Sequence, residues 1–127
     1  MRRHRYAAPA LLAALLLAVV LVVATAAPQE AAAKTKRVTI AGFSFTPRVI
    51  TIKHGTKVVW KNADTTAHNV VSATGMGTSA STTGLFASPT LSPGQSWSHV
   101  FTKKGTYFYE CTFHASMAAM HGKVVVK

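Results

Sequence analysis

From Arg37 to the end of the chain, apolar and polar residues alternate in short runs separated by turn-forming residues. Alternation with a period of two lets a strand bury one face and wet the other, so Arg37–Ile40, Val49–Lys53, Lys57–Asn62, His68–Ser72, Gln95–Phe101, Thr106–Cys111 and Gly122–Lys127 are predicted strands. His54-Gly55, Ser92-Pro93-Gly94 and Lys103-Lys104-Gly105 fall between runs and supply the turns. Ile50 and Ile52 share one strand face, Val58 and Trp60 another, and Phe43 and Phe45 a third, so alternate side chains can fill the space between two sheets. No amphipathic helix of useful length breaks this pattern, and the expected fold class is all-β, a β-sandwich. Residues 73–84 are small, polar and glycine-rich, which predicts a mobile surface loop.

The N-terminal part follows a different pattern. Arg2, Arg3 and Arg5 precede an apolar run from Ala10 to Ala24, and the small residues Ala24-Thr25-Ala26-Ala27 suit a signal peptidase, so residues 1–26 read as a signal peptide. The run is about 15 residues, short of the roughly 20 that span a bilayer; an uncleaved anchor is the alternative reading. No cysteine stands at the cleavage region, which argues against a bacterial lipoprotein. Residues 27–36 have no apolar periodicity and read as a flexible leader, leaving 37–127 as the domain. The expected location is therefore exported: periplasmic, extracellular or associated with the cell envelope.

Charge narrows the partners. Residues 27–127 carry eleven Lys and Arg against Glu30, Asp64 and Glu110, a net of +8. The basic residues are spread thinly, with no Arg-rich tract and no interleaved aromatic platform, so nucleic acid is not the expected partner. An acidic protein or an anionic surface fits better, including peripheral membrane association. Lys53, Lys57 and Lys61 at alternating positions are also what an ordinary solvated strand face carries.

The candidate chemistry lies near the C-terminus. An exported chain with one cysteine, Cys111, forms no internal disulfide, and a bare thiol outside the cytoplasm is exposed to oxidation, so a bound metal would account for it. Cys111 closes a predicted strand, His114 follows two residues on, and Met117 and Met120 lie further along the same loop. One thiolate, two imidazoles and a long axial thioether suit both oxidation states of copper. His68, which opens a short apolar run after the turn-forming stretch 62–67, is the candidate second imidazole.

Phe43-Ser44-Phe45-Thr46-Pro47, Trp60-Lys61-Asn62, His68-Asn69-Val70, Leu91-Ser92-Pro93-Gly94, Gly105-Thr106-Tyr107 and Cys111-Thr112-Phe113-His114 with Met120-His121-Gly122 together resemble the cupredoxin family, particularly plastocyanin and amicyanin. The resemblance covers nearly all of residues 37–127. It implies a Greek-key sandwich of about seven to eight strands with a type 1 copper site under one end, cycling between Cu(I) and Cu(II). It also implies that the imidazole edge of His114 reaches solvent through an apolar patch.

Related loops share a methionine, one residue and a glycine before the last strand, so Met120 is the expected axial ligand and Met117 the alternative. Relatives usually carry proline where Phe113 stands, which gives this chain an additional backbone N–H near the thiolate. Asn69 is expected to bridge the His68 strand to the Cys111 loop, although a strand-edge asparagine with no such role reads equally well.

The implied function is single-electron transport between redox partner proteins by a monomer, with no enzymatic activity, since ligands for only one copper site are present. The alternative is copper delivery, storage or tolerance without a redox partner. His54 and His99 read as surface or structural residues. His121 is expected to point outward, with a four-ligand zinc site the competing assignment. Tyr107 and Tyr109 read as core packing, with an electron path through either the alternative reading.

Overall fold

In the computed structural model, which describes residues 22–27 and 33–127, the alternation seen in the sequence becomes two packed sheets. The strands are β1 (Thr35–Ala41), β2 (Ser44–Thr46), β3 (Val49–Ile52), β4 (Thr56–Asn62), β5 (Val71–Ala73), β6 (Thr82–Ala87), β7 (Ser96–Phe101), β8 (Gly105–Glu110) and β9 (His121–Val126). One sheet has the order β2-β1-β4-β7 and the other β3-β9-β8-β5-β6. β1 runs parallel to β4 and β3 parallel to β9, while the other pairs are antiparallel. Each sheet turns one side inward. Val38 and Ile40 of β1, Ile50 and Ile52 of β3, Val58 and Trp60 of β4, and Val124 and Val126 of β9 are all buried, and their neighbours in sequence are less so.

At the centre, Tyr109 meets Phe45 edge-on at a ring separation of 4.8 Å and Trp60 at 5.3 Å. Trp60 in turn lies against Trp97 at 5.6 Å. These large rings span the gap between the sheets and set their spacing.

Nine strands form where about seven to eight were expected. Ser44–Thr46 folds back on β1, and Thr82–Ala87 pairs with β5 although its first residues belong to the expected mobile loop. That strand is held by Phe86, buried in the core against Phe101 at 5.6 Å, and by Ser72 Oγ, which accepts hydrogen bonds from the Phe86 N–H at 3.1 Å and from the Thr83 hydroxyl at 2.8 Å. β1 starts at Thr35 instead of Arg37, because Thr35 and Lys36 already pair with Lys57 and Val58. His68 lies outside regular strand and makes an isolated bridge to Leu91. Residues 22–27 form no regular structure. The remainder of the expected signal, residues 1–21, and residues 28–32 of the expected leader lie outside the described residues. Among the described residues no helix is long and apolar enough to cross a membrane.

The register between β8 and β9 matters most for the chemistry. Tyr109 pairs with Gly122 and Glu110 with His121, and one step further the Cys111 N–H donates to the Met120 carbonyl at 3.0 Å. A side chain at position 122 would run into the ring carbons Cζ and Cε2 and the hydroxyl of Tyr109, with Cε2 only 2.6 Å from an added Cβ. Glycine is required there so that the ring can lie flat over the neighbouring backbone. This contact accounts for a glycine two residues after Met120, and it locks the cysteine strand to the methionine strand in one register.

Candidate metal centre

Cys111 ends β8, and the chain then makes two short 3-10 turns, Thr112–His114 and Ala118–Met120. The His114 N–H donates to the Cys111 carbonyl at 3.1 Å, the Met117 N–H to His114 at 2.9 Å and the Met120 N–H to Met117 at 2.9 Å. Consecutive tight turns return the loop to β9 in few residues and leave Met120 buried beside Cys111. Arg48 clips the loop from outside, its guanidinium donating to the Ala118 carbonyl at 2.7 Å and to the His121 carbonyl at 3.2 Å.

His68 lies on the crossover from β4 to β5, just before the strand that pairs with β8. Buried Asn62, at the end of β4, donates to the carbonyls of Thr66 and Leu91 at 2.8 Å each and accepts from the Asp64 N–H at 3.0 Å. The 62–68 segment is thereby wound into a fixed loop. Asp64 then accepts three bonds: from the N–H groups of Gly42 (2.6 Å) and Phe43 (3.0 Å), and from Nε2 of His68 (2.8 Å). Gly42 and Phe43 both adopt positive φ, 57° and 54°, which turns their two N–H groups toward the carboxylate. Partial burial pushes the Asp64 carboxyl up, but the bonds from Phe43, Gly42 and His68 outweigh it and hold the group below its ordinary value. An anionic acceptor at Nε2 keeps the proton there and leaves Nδ1 of His68 free as a ligand. The same turn sets the Phe43 ring edge-on to both imidazoles, 5.6 Å from His68 and 4.9 Å from His114.

The three expected donors converge. Cys111 Sγ lies 3.7 Å from His68 Nδ1 and 3.5 Å from His114 Nδ1, and one ligand atom from each residue falls within 4.8 Å of the others. A metal–sulfur bond of about 2.3 Å and metal–nitrogen bonds of about 2.0 Å, meeting at roughly 110–120°, put sulfur and nitrogen about 3.5–3.7 Å apart. The residues present therefore fit one ion. Cys111 and His68 are buried, while His114 is half-buried. Beside His114, Phe113 is 52% exposed and Met117 40%.

Asn69 joins the two ligand loops: its amide donates to the Thr112 hydroxyl at 2.7 Å and its carbonyl oxygen accepts from the Thr112 N–H at 2.8 Å. Phe113 lies within the first 3-10 turn. His121, expected to point outward, is buried because the loop 115–120 folds over it. Its Nε2 meets the Ala115 carbonyl at 2.7 Å and its Nδ1 faces Glu110 at 3.6 Å. It is not among the converging donors, which removes the four-ligand zinc assignment. His54 is exposed against the Lys127 carbonyl. His99 packs between Phe86 and Phe101, and burial lowers its pKa.

Sequence reasoning missed the roles of Asn62, Asp64, Arg48 and the Gly42-Phe43 turn. The one available signal was an acid four residues before a candidate ligand histidine in a chain with only three acids.

The family described as copper binding proteins, plastocyanin/azurin family, matches residues 32–127. Amicyanin-alpha of Methylorubrum extorquens is 38% identical over 99 residues, covering 78% of this chain and 77% of the relative. Plastocyanin of Lactuca sativa is 35% identical over 89 residues, covering 67% and 89% respectively. A purple cupredoxin from Nitrosopumilus maritimus superposes with a TM-score of 0.63 at 31% identity, covering 72% of this chain and 98% of that one. With a thiolate and two imidazoles converging inside the sandwich that these relatives share, the chain belongs to the plastocyanin/azurin family of copper-binding proteins, and its cofactor is one copper ion.

Proposed function

We propose that the protein carries single electrons between exported redox partner proteins, with residues 1–26 acting as the export signal. The observation that carries this reading is the asymmetry of the ligand set: Cys111 and His68 are sealed in the interior, and only His114 approaches the surface, through exposed apolar side chains. Copper supplies a one-electron couple in a donor set acceptable to both of its oxidation states.

The remaining work belongs to the protein. Burial of Cys111 keeps water and oxidants from the thiolate. The Asp64–His68 bond and the paired Asn69–Thr112 bonds hold the ligands of the crossover loop and of the Cys111 loop in place, so little has to reorganise when charge changes. Phe113 and Met117 give a partner an apolar surface beside His114, where a short-lived complex forms without strong polar commitments. Met120 is the favoured axial ligand, since it is buried and its carbonyl accepts from the Cys111 N–H, whereas Met117 is exposed. The family relationship to amicyanin and plastocyanin supports the same class of function.

The test is the visible spectrum of the copper-loaded, oxidised protein, followed by Met120→Leu and Met117→Leu. An intense thiolate-to-copper charge-transfer band, with a midpoint potential that moves in Met120→Leu and stays in Met117→Leu, is expected. Tight Cu(I) binding with no such band would overturn electron carriage in favour of copper handling. A potential that moves only in Met117→Leu would overturn the axial assignment.

A further inference from the structure

In the folded unit the acids lie at one end and most of the lysines at the other, with Arg48, Lys61 and Lys123 standing toward the acidic end. Its two acids, Asp64 and Glu110, both lie at the copper end, the first bonded to His68 and the second buried opposite His121. The other end is basic. There the Lys57 N–H donates to the Lys34 carbonyl at 2.8 Å, the Gly55 N–H to Phe101 at 2.6 Å, and the His54 N–H to Lys127 at 2.9 Å. These bonds draw together the start of β1, the turn between β3 and β4, the end of β7 and the end of β9. Lys34, Lys36 and Lys53 line one cleft of about 230 Å³ with Thr35, Thr51 and Thr56. Lys57 stands next to it along β4, and the Lys103-Lys104 turn follows β7 on the same end. None of these lysines has a carboxylate partner among the described residues.

We infer that this lysine end seats on the phosphate headgroups of an anionic bilayer. Three features favour a bilayer over an acidic protein. The cleft itself is lined by lysines, threonines and the buried Ile52, while the exposed Val100 and Leu85 stand outside it beside Lys103. The chain enters the domain here, at the start of β1, so an N-terminal segment retained after export would be tethered to this end. Docking this way also leaves the copper end facing away. β1 alone, seven residues, separates the two ends by roughly 20 Å at the usual rise per residue. His114 then stays open to a partner arriving from solution. The inference rests on the charge distribution and stands whether or not the copper reading holds.

The full chain is tested by flotation with vesicles of phosphatidylcholine alone and of an equal mixture of phosphatidylcholine and phosphatidylglycerol. Any contribution of the N-terminal segment is common to both, so the lysine contribution is the ratio of lipid requirements. The mixed vesicles should be preferred, and the preference should fade as salt rises. The variant Lys34→Gln, Lys36→Gln, Lys53→Gln should lose about a hundredfold of it, while Lys61→Gln, further up β4, should lose severalfold at most. Circular dichroism checks that each variant remains folded.

Independently, a water-soluble acylating reagent should find Lys34, Lys53 and Lys103 protected on the mixed vesicles, with Lys61 and Lys123 still reactive. Equal lipid requirements for the two compositions, an unaffected triple variant, or protection that requires an acidic protein in place of lipid would overturn the inference.

Discussion

Replacing Gly122 with alanine tests the contact that registers the cysteine strand against the methionine strand. The added methyl falls within 2.6 Å of Tyr109 Cε2 and nearer still to Cζ and the hydroxyl, so either the ring or the backbone has to move. The ring is fully buried and pinned by Phe45 at 4.8 Å and Trp60 at 5.3 Å, which leaves little room to yield. Removing a strand glycine ordinarily gains about 0.5–1 kcal/mol, whereas forcing a group into a filled core costs about 1–3 kcal/mol, so the net should be destabilising by roughly 1–2 kcal/mol. For a domain of this size that lowers the melting temperature by about 4–16 °C. Metal-free protein melted by circular dichroism reads this directly. A double-mutant cycle with Tyr109→Leu isolates the contact, because the smaller side chain should recover most of the loss. The shift should reach the site as well, since the Cys111 N–H bond to the Met120 carbonyl lies just beyond this pair, and the charge-transfer band should weaken or move. A melting temperature for Gly122→Ala at or above that of the parent, or a cycle with no coupling, would refute the account of why glycine stands there.

Asp64→Asn keeps one carbonyl oxygen but presents an NH2 group where two donors, the Phe43 N–H and His68 Nε2, now bond. It should destabilise the metal-free protein by about 1–3 kcal/mol in urea titration and raise the midpoint potential, because a negative charge beside a ligand favours the oxidised ion. An unchanged potential would count against the role given to Asp64. Phe113→Pro removes a backbone N–H near the thiolate and should lower the midpoint potential; an equal or higher value in voltammetry would dismiss that contribution. Burial raises the Tyr109 hydroxyl from 10.0 to about 12, so the stability it confers is complete below pH 10 and is lost as the pH rises from 10 toward 12. The loss amounts to about 3 kcal/mol at most. Tyr109→Phe should flatten that alkaline decline in denaturant titrations, and an equally steep decline in the variant would show that Tyr109 is not its source.

The sandwich was legible because alternation is a local property: Ile50 with Ile52 and Val58 with Trp60 declare a buried face without reference to any partner strand. The same holds for the cysteine loop, where Cys111, His114, Met117 and Met120 lie within ten residues and their chemistry is visible from spacing. The strand at Thr82–Ala87 was not legible, since only Phe86 of its residues is buried and the polar, glycine-containing stretch before it shows no alternation. The burial of His121 was hidden because it is a consequence of how the loop folds over it.

By itself the amino-acid order determined which residues could hold copper and that their strands would stack in two layers. Only the folded chain decided that His68 comes within 3.7 Å of a sulfur 43 positions away, and that Asp64 holds the proton on the far side of that ring. Spacing constrains neighbours along a chain, but the closing of two sheets on one another is a three-dimensional packing result. The Asp64 clasp and the gathering of lysines at one end arise from that closure, and the Tyr109 ring lying on Gly122 arises from the pairing of β8 with β9.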